Sequence, residues 1–155
     1  MTDRSSADGL LLRTRRRILI TGSREWTDVD RIRSAIDLYR PRGGGQCIIV
    51  HGDCPSGADE IADRICRCEG WHVERHPAEW ERACDESCHH KPRIRRGKPY
   101  CPMAGHLRNQ KMVDLGADVC LAFPMSGSRG TWDCVRRARV ASIPVVVFGN
   151  GVLHE

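Results

Sequence analysis

A doubly wound, Rossmann-like α/β domain on a parallel sheet of about five strands follows from three observations in this sequence. Short apolar, β-branched runs alternate with segments whose apolar residues recur every three or four positions. The runs are continuously apolar, as in strands covered on both faces. Most of them end in glycine-containing turns that lead into the next helix-like segment, which gathers those turns at the carboxyl edge of one sheet.

The first strand is Arg17 to Thr21, followed by a helix over 27 to 39 with Val29, Ile32, Ala35, Ile36 and Tyr39 on one face and Thr27 or Asp28 as N-cap. Pro41 to Gly45 breaks it. Cys47 to His51 is the second strand, and Ser56 to Glu69 the second helix, packed through Ala58, Ile61, Ala62 and Ile65 and stopped by Gly70. The third strand, Trp71 to His76, is closed by Pro77. The alternation then stalls for about 25 residues, where a β–α connection takes roughly 2 to 6. That excess marks residues 81–102 as an insert with a function or a metal staple of its own. A helix from Met103 to Leu115, a strand from Asp118 to Phe123, a helix from Thr131 to Ala141 and a strand from Pro144 to Phe148 complete the pattern. Residues 15–152 thus read as one domain and 1–14 as a flexible basic tail.

With 155 residues, 40% hydrophobic and 29% charged, the chain has the composition of a soluble globular domain and not of a disordered one. No apolar run approaches the roughly 20 residues of a membrane span, and no signal-like segment opens the chain, so a cytoplasmic protein with no membrane partner is expected. The net charge of +5 is uneven. It concentrates at Arg13, Arg15, Arg16 and Arg17 and again at Lys91, Arg93, Arg95, Arg96 and Lys98, clusters that suit a phosphodiester backbone or a solvated loop. A nucleic-acid-binding module using the second cluster is therefore the alternative function, although two Tyr and two Phe provide no evident stacking platform.

Nine cysteines without an export signal do not read as a disulfide framework. Cys47, Cys120 and Cys134 fall on apolar faces as small hydrophobes, and Cys66 and Cys68 point different ways from one helix. Cys84, Cys88, His89, His90 and Cys101 instead crowd into the insert. Three thiolates with one imidazole suit a tetrahedral, structural zinc site, with Cys84, Cys88, Cys101 and either His89 or His90, of which His90 is taken. Unliganded, redox-active thiols are the competing reading.

The turn from Val50 to Asp59 has an apolar strand ending in Gly52 and a helix led by Ser56-Gly57, a local pattern that offers backbone N–H groups to an anion such as phosphate. Five motifs in order, Gly22-Ser23-Arg24-x-Trp26, His51-Gly52-Asp53-x-x-x-Gly57-Ala58-Asp59, His76-Pro77-Ala78-Glu79-Trp80, Ala104-Gly105-x-x-Arg108-Asn109-x-x-Met112 and Gly127-Ser128-x-Gly130-Thr131, resemble the YspA/YpsA-related branch of the SLOG superfamily. The similarity spans about residues 17 to 148 and implies a Rossmann-like fold with a pocket for a nucleotide or nucleotide-derived ligand. It also implies a distant relation to the Lonely Guy phosphoribohydrolases and to DNA-processing protein A.

Carried over by motif, the resemblance assigns ligand binding to Gly22, Ser23, Arg24, Gly52, Asp53, Gly57, Asp59, Arg108, Asn109, Ser128, Gly130 and Thr131, and the Ser56-Gly57 helix start adds Ser56. Arg24 can offer a bidentate fork to phosphate, and Asp59 can accept from a ribose hydroxyl or a base N–H. Asp53 and Asp59 can equally cap turns, and Arg108 can be a surface ion pair. Trp26, Trp80 and Trp132 either stack on a base or pack in the core. Lonely Guy enzymes carry a glutamate in a Gly-Thr-x-x-Glu pattern. In Gly130-Thr131-Trp132-Asp133-Cys134 that position is Cys134, so nucleotide sensing and nucleotide hydrolysis both stay open while phosphate binding does not depend on it.

Overall fold

A computed structural model describes residues 15–43, 45–149 and 153–154. The expected tail over 1–14 lies outside the described residues. Among the described residues, eight strands and four helices follow in chain order: β1 (Arg15–Gly22), α1 (Val29–Tyr39), β2 (Gln46–His51), α2 (Ala58–Glu69), β3 (His72–Arg75), β4 (Arg93–Arg95), β5 (Lys98–Tyr100), α3 (Ala104–Asp114), β6 (Val119–Phe123), α4 (Arg129–Val140), β7 (Val145–Phe148) and β8 (Leu153–His154).

The main sheet has the order β3-β2-β1-β6-β7-β8. Its first five strands are parallel, and β8 adds an antiparallel edge by pairing His154 with Val147. The sequence pattern predicts about five strands and a boundary at 152, so β8 is an addition: two residues are too short to carry a periodic signal. From β1 the chain first builds outward through β2 and β3, then returns to the other side of β1 with β6. The carboxyl ends of β1 and β6 therefore border the topological switch point, where open α/β sheets bind ligands.

Side-chain alternation divides the core into two layers. Ile18 and Ile20 face α1 and α2 with Ile32, Ile36, Ile61, Ile65 and Leu121, whereas Leu19 faces α3 and α4 with Val50, Met112, Cys120 and Cys134. Each fully buried isoleucine or leucine contributes roughly 1.5–3 kcal/mol by leaving water. Both faces are covered over Ile18 to Ile20 of β1 and along all of β6, which is why these stretches are unbroken apolar runs.

Helix boundaries follow local chemistry. The Asp28 carboxylate accepts from the Arg31 N–H at 3.0 Å to start α1, and left-handed Gly70 ends α2 with its N–H on the Cys66 carbonyl. Buried His51 joins β2 to α2, with Nε2 2.7 Å from Asp63 Oδ2 and Nδ1 accepting from the Asp53 N–H at 2.9 Å. Arg75 from β3 reaches the same carboxylate at 2.6 Å, holding its pKa below the usual range. Within the insert, where the pattern predicts a loop, β4 and β5 form an antiparallel hairpin. Its turn falls at Arg96-Gly97, both with positive φ.

Candidate functional site

Beyond the carboxyl ends of β1 and β6 opens a cavity of about 410 Å³, a volume within the range of small-ligand sites. Of the thirteen residues that the sequence assigns to ligand binding, ten line it: Gly22, Ser23, Arg24, Gly52, Asp59, Arg108, Asn109, Ser128, Gly130 and Thr131. Asp53 and Ser56 are exposed and Gly57 is buried, and these three stay outside the lining.

The turn after β2 locks onto the turn after β1. Ser23 donates its N–H to the Phe123 carbonyl at 2.9 Å, and its own carbonyl accepts from Ala58 N–H at 3.1 Å. Gly57, at φ +77°, fits against the Ser23 and Arg24 backbone so closely that any Cβ collides with it. The anion cradle legible in Val50 to Asp59 is thus partly spent on the protein's own backbone. Asp59 then projects its carboxyl into the cavity wall, accepting from Cys54 N–H at 3.3 Å, and burial pushes its pKa above the usual value.

Arg108 and Asn109 act on neighbouring loops as much as on the cavity. The Arg108 guanidinium donates to the carbonyls of Gly52 and, at 3.3 Å, His76, fixing the ends of β2 and β3. Asn109 accepts from Arg108 Nε at 3.0 Å and donates to the Gly130 carbonyl at 3.2 Å and to Asp133 at 3.1 Å, tying α3 to the start of α4. Asp133 is nearly buried and also meets Arg136, Arg137 and His106, the last at 3.0 Å. Burial opposes its ionisation, yet the Arg137, His106 and Asn109 contacts hold the carboxyl down at about 2.

At the start of α4, Ser128 turns its hydroxyl back to accept from Met125 N–H at 2.9 Å and caps nothing. Arg129 N–H is taken by the Gly127 carbonyl, and Trp132 N–H by Ser128. Between them the N–H groups of Gly130 and Thr131 have no acceptor among the described residues and sit in the cavity lining. A helix start with two free donors and the positive end of its dipole is a seat for an anion. Cys134 is fully buried away from the lining, against Cys120.

Another part of the wall comes from the two ends of the insert and the start of α3: Trp80, Pro102, Gly105 and His106. Of the three tryptophans beside the motifs, out of four in the chain, Trp26 is core, Trp132 is exposed and Trp80 lines the cavity. His106 and Cys54 also line it without having been singled out in the sequence. His106 lies inside the Ala104 to Met112 motif between its recognisable positions, so the motif itself was the available signal.

Below this wall, the ligand atoms of Cys84, Cys88, His90 and Cys101 all lie within 4.8 Å of one another. Tetrahedral zinc with ordinary bond lengths separates two sulfurs by about 3.8 Å and a sulfur from a nitrogen by about 3.6 Å. Here Cys88 and Cys101 sulfurs are 3.7 Å apart, and His90 Nε2 is 3.5 Å from Cys84 Sγ and 3.7 Å from Cys101 Sγ. His90 Nδ1 lies 2.8 Å from the Lys91 carbonyl, which turns Nε2 toward the sulfurs. Arg82 donates to Cys88 and Cys101 at 3.2 and 3.4 Å. Although desolvation raises it, the Cys101 thiol is drawn down to about 6 by Arg82 and His90. The four residues form a Cys3His cluster able to hold a metal, with His90 and not His89 as its imidazole. A second grouping, His51, Asp53 and Asp63, has both imidazole nitrogens engaged and is a structural network.

No helix of the described residues is long and apolar enough to cross a membrane. No solved structure matches the chain. The Gene 61 protein of Mycobacterium phage D29 is 44% identical over 142 residues, covering 87% of this chain and 98% of that protein. The sequence model of the YspA, cpYpsA-related SLOG family matches residues 16–83, the stretch from β1 through α2 and β3 that builds the first two cavity loops. With these motifs on a five-stranded parallel sheet, the chain belongs to the YspA, cpYpsA-related SLOG family.

Proposed function

We propose that this protein binds a nucleotide or nucleotide-derived ligand, with a phosphate on the Gly130 and Thr131 N–H groups, and that Cys84, Cys88, His90 and Cys101 hold a structural zinc ion. The free N–H pair at the start of α4, opening into a cavity at the switch point, carries the ligand reading. Arg24 supplies an exposed cation at the same cavity, while buried Asp59 offers an acceptor to a ribose hydroxyl or base N–H. Family membership supports nucleotide-related binding at the same coarse level. Four protein ligands leave zinc no open position for water, so its part is to order the insert.

Calorimetry with nucleoside monophosphates and the matching nucleosides tests the ligand reading. Nucleotides are expected to bind and nucleosides to bind at least about tenfold more weakly, as a charge-assisted phosphate contact requires. Arg24→Ala is expected to cost roughly tenfold in nucleotide affinity. Equal affinity for both ligand series removes phosphate recognition. Metal analysis of the purified chain is expected to give one zinc per protein, and reactive Cys84, Cys88 and Cys101 without metal would overturn the zinc assignment.

A second reading has one observation behind it: Arg93, Arg96 and Lys98 stand exposed on the β4–β5 hairpin. Binding of nucleic acid there predicts an affinity that falls steeply with salt. Arg95, by contrast, is already engaged over the Tyr100 and Trp80 rings.

A further inference from the structure

Trp80 stands at the meeting point of the cavity and the metal cluster. Its indole lines the cavity, while its carbonyl accepts from the N–H of Cys101, a cluster residue, at 2.8 Å. Two residues on, Arg82 donates to the Cys88 and Cys101 sulfurs. Arg95 from the hairpin lies 5.8 Å from the indole centre and 4.6 Å from that of Tyr100. On the α3 side, a Cβ at Gly105 would come within 3.1 Å of the indole, so glycine there gives the ring its place. The ring's position is set by backbone and side chains of the insert, and the insert's hairpin is exposed at every position but Tyr100 and has no core of its own.

We propose that Trp80 is the stacking wall for the base of the bound nucleotide, and that the metal cluster sets this wall, so that base recognition depends on the bound metal. The inference rests on the nucleotide reading above and adds to it the group that recognises the base. The exposed Arg24 guanidinium lies 5.9 Å from the indole centre, where it holds no hydrogen bond among the described residues. Arg24 is long and can yield that place to a base, turning its guanidinium to the phosphate. Phosphate recognition at Gly130 and Thr131 sits on another part of the cavity, on a helix start that the insert does not build. Losing the metal should therefore remove the base's share of affinity and leave the phosphate's.

The experiment compares the common ribonucleoside monophosphates with ribose 5-phosphate on the full chain by calorimetry, before and after chelation, with circular dichroism to follow the fold. The metal-loaded protein is expected to prefer its best nucleotide over ribose 5-phosphate by roughly tenfold or more, the share that base–aromatic stacking supplies. Chelation, and separately Trp80→Ala, should bring the nucleotide down to the level of ribose 5-phosphate without weakening ribose 5-phosphate itself. Trp80→Phe should keep most of the preference. A preference that survives chelation or Trp80→Ala, or that appears in protein carrying no metal, overturns the proposal and leaves the nucleotide reading intact. Binding of neither ligand class to the loaded protein overturns both.

Discussion

Asp59 is the residue at which stability and function pull apart. Its folded-state pKa is raised by burial above the ordinary 3.8, so its ionised form is disfavoured in the fold. The cost is absent below about pH 3.8 and sets in as pH rises through and above that value. Asp59→Asn keeps an acceptor for the Cys54 N–H while removing the charge. It is expected to raise stability, and with it Tm, at pH 7 and to leave it unchanged at pH 3. Thermal melts at the two pH values check this, and a Tm at pH 7 equal to the parent's would show that the carboxyl carries no penalty. The same variant should bind nucleotide more weakly, because an amide is the poorer acceptor. Gly57 teaches the reverse lesson: the sequence presents it as a glycine beside a ligand, whereas its neighbour is the Ser23–Arg24 backbone. Gly57→Val is therefore expected to destabilise the fold by more than about 2 kcal/mol, through strain at positive φ and collision with backbone.

Among the elements, the β4–β5 hairpin and α2 are held by opposite means. Helix α2 buries Ala58, Ile61, Ala62 and Ile65 against the sheet and is pinned to β2 and β3 through Asp63. The hairpin has exposed residues at nearly every position and runs directly into Cys101 of the cluster. Hydrogen exchange should separate them. After chelation, hairpin amides are expected to exchange as rapidly as unprotected chain while α2 and β1 keep their protection, because their burial does not involve the metal. Protection of the hairpin unchanged by chelation would place its order elsewhere.

Across the whole molecule, Glu74 links the ends of the first half-sheet by pairing with Arg17 of β1 at 2.8 Å, beside His76. Arg17 draws its carboxyl from 4.5 down to about 2. A depressed folded-state pKa contributes stability that is present above the unfolded value and is lost as pH falls through the folded one. The advantage of the parent over Glu74→Gln is thus expected to be full above about pH 4.5 and to vanish toward pH 2, as read from paired melts across that window. A constant difference would assign Glu74 no ionic part. By itself the sequence determined the α/β alternation, the helix starts and stops, and the Cys3His set, because these depend on residue periodicity, caps and ligand spacing. Most of the residues it named for ligand binding also reach the cavity, since the doubly wound topology brings every strand-end turn to one edge. Only the tertiary structure decided which glycine turn has free N–H groups, that Asp53 and Ser56 stay outside, that His90 turns to the sulfurs, and that Trp80 joins cavity to cluster. Those outcomes depend on which distant backbone atoms meet, and no local pattern of residues encodes such a meeting.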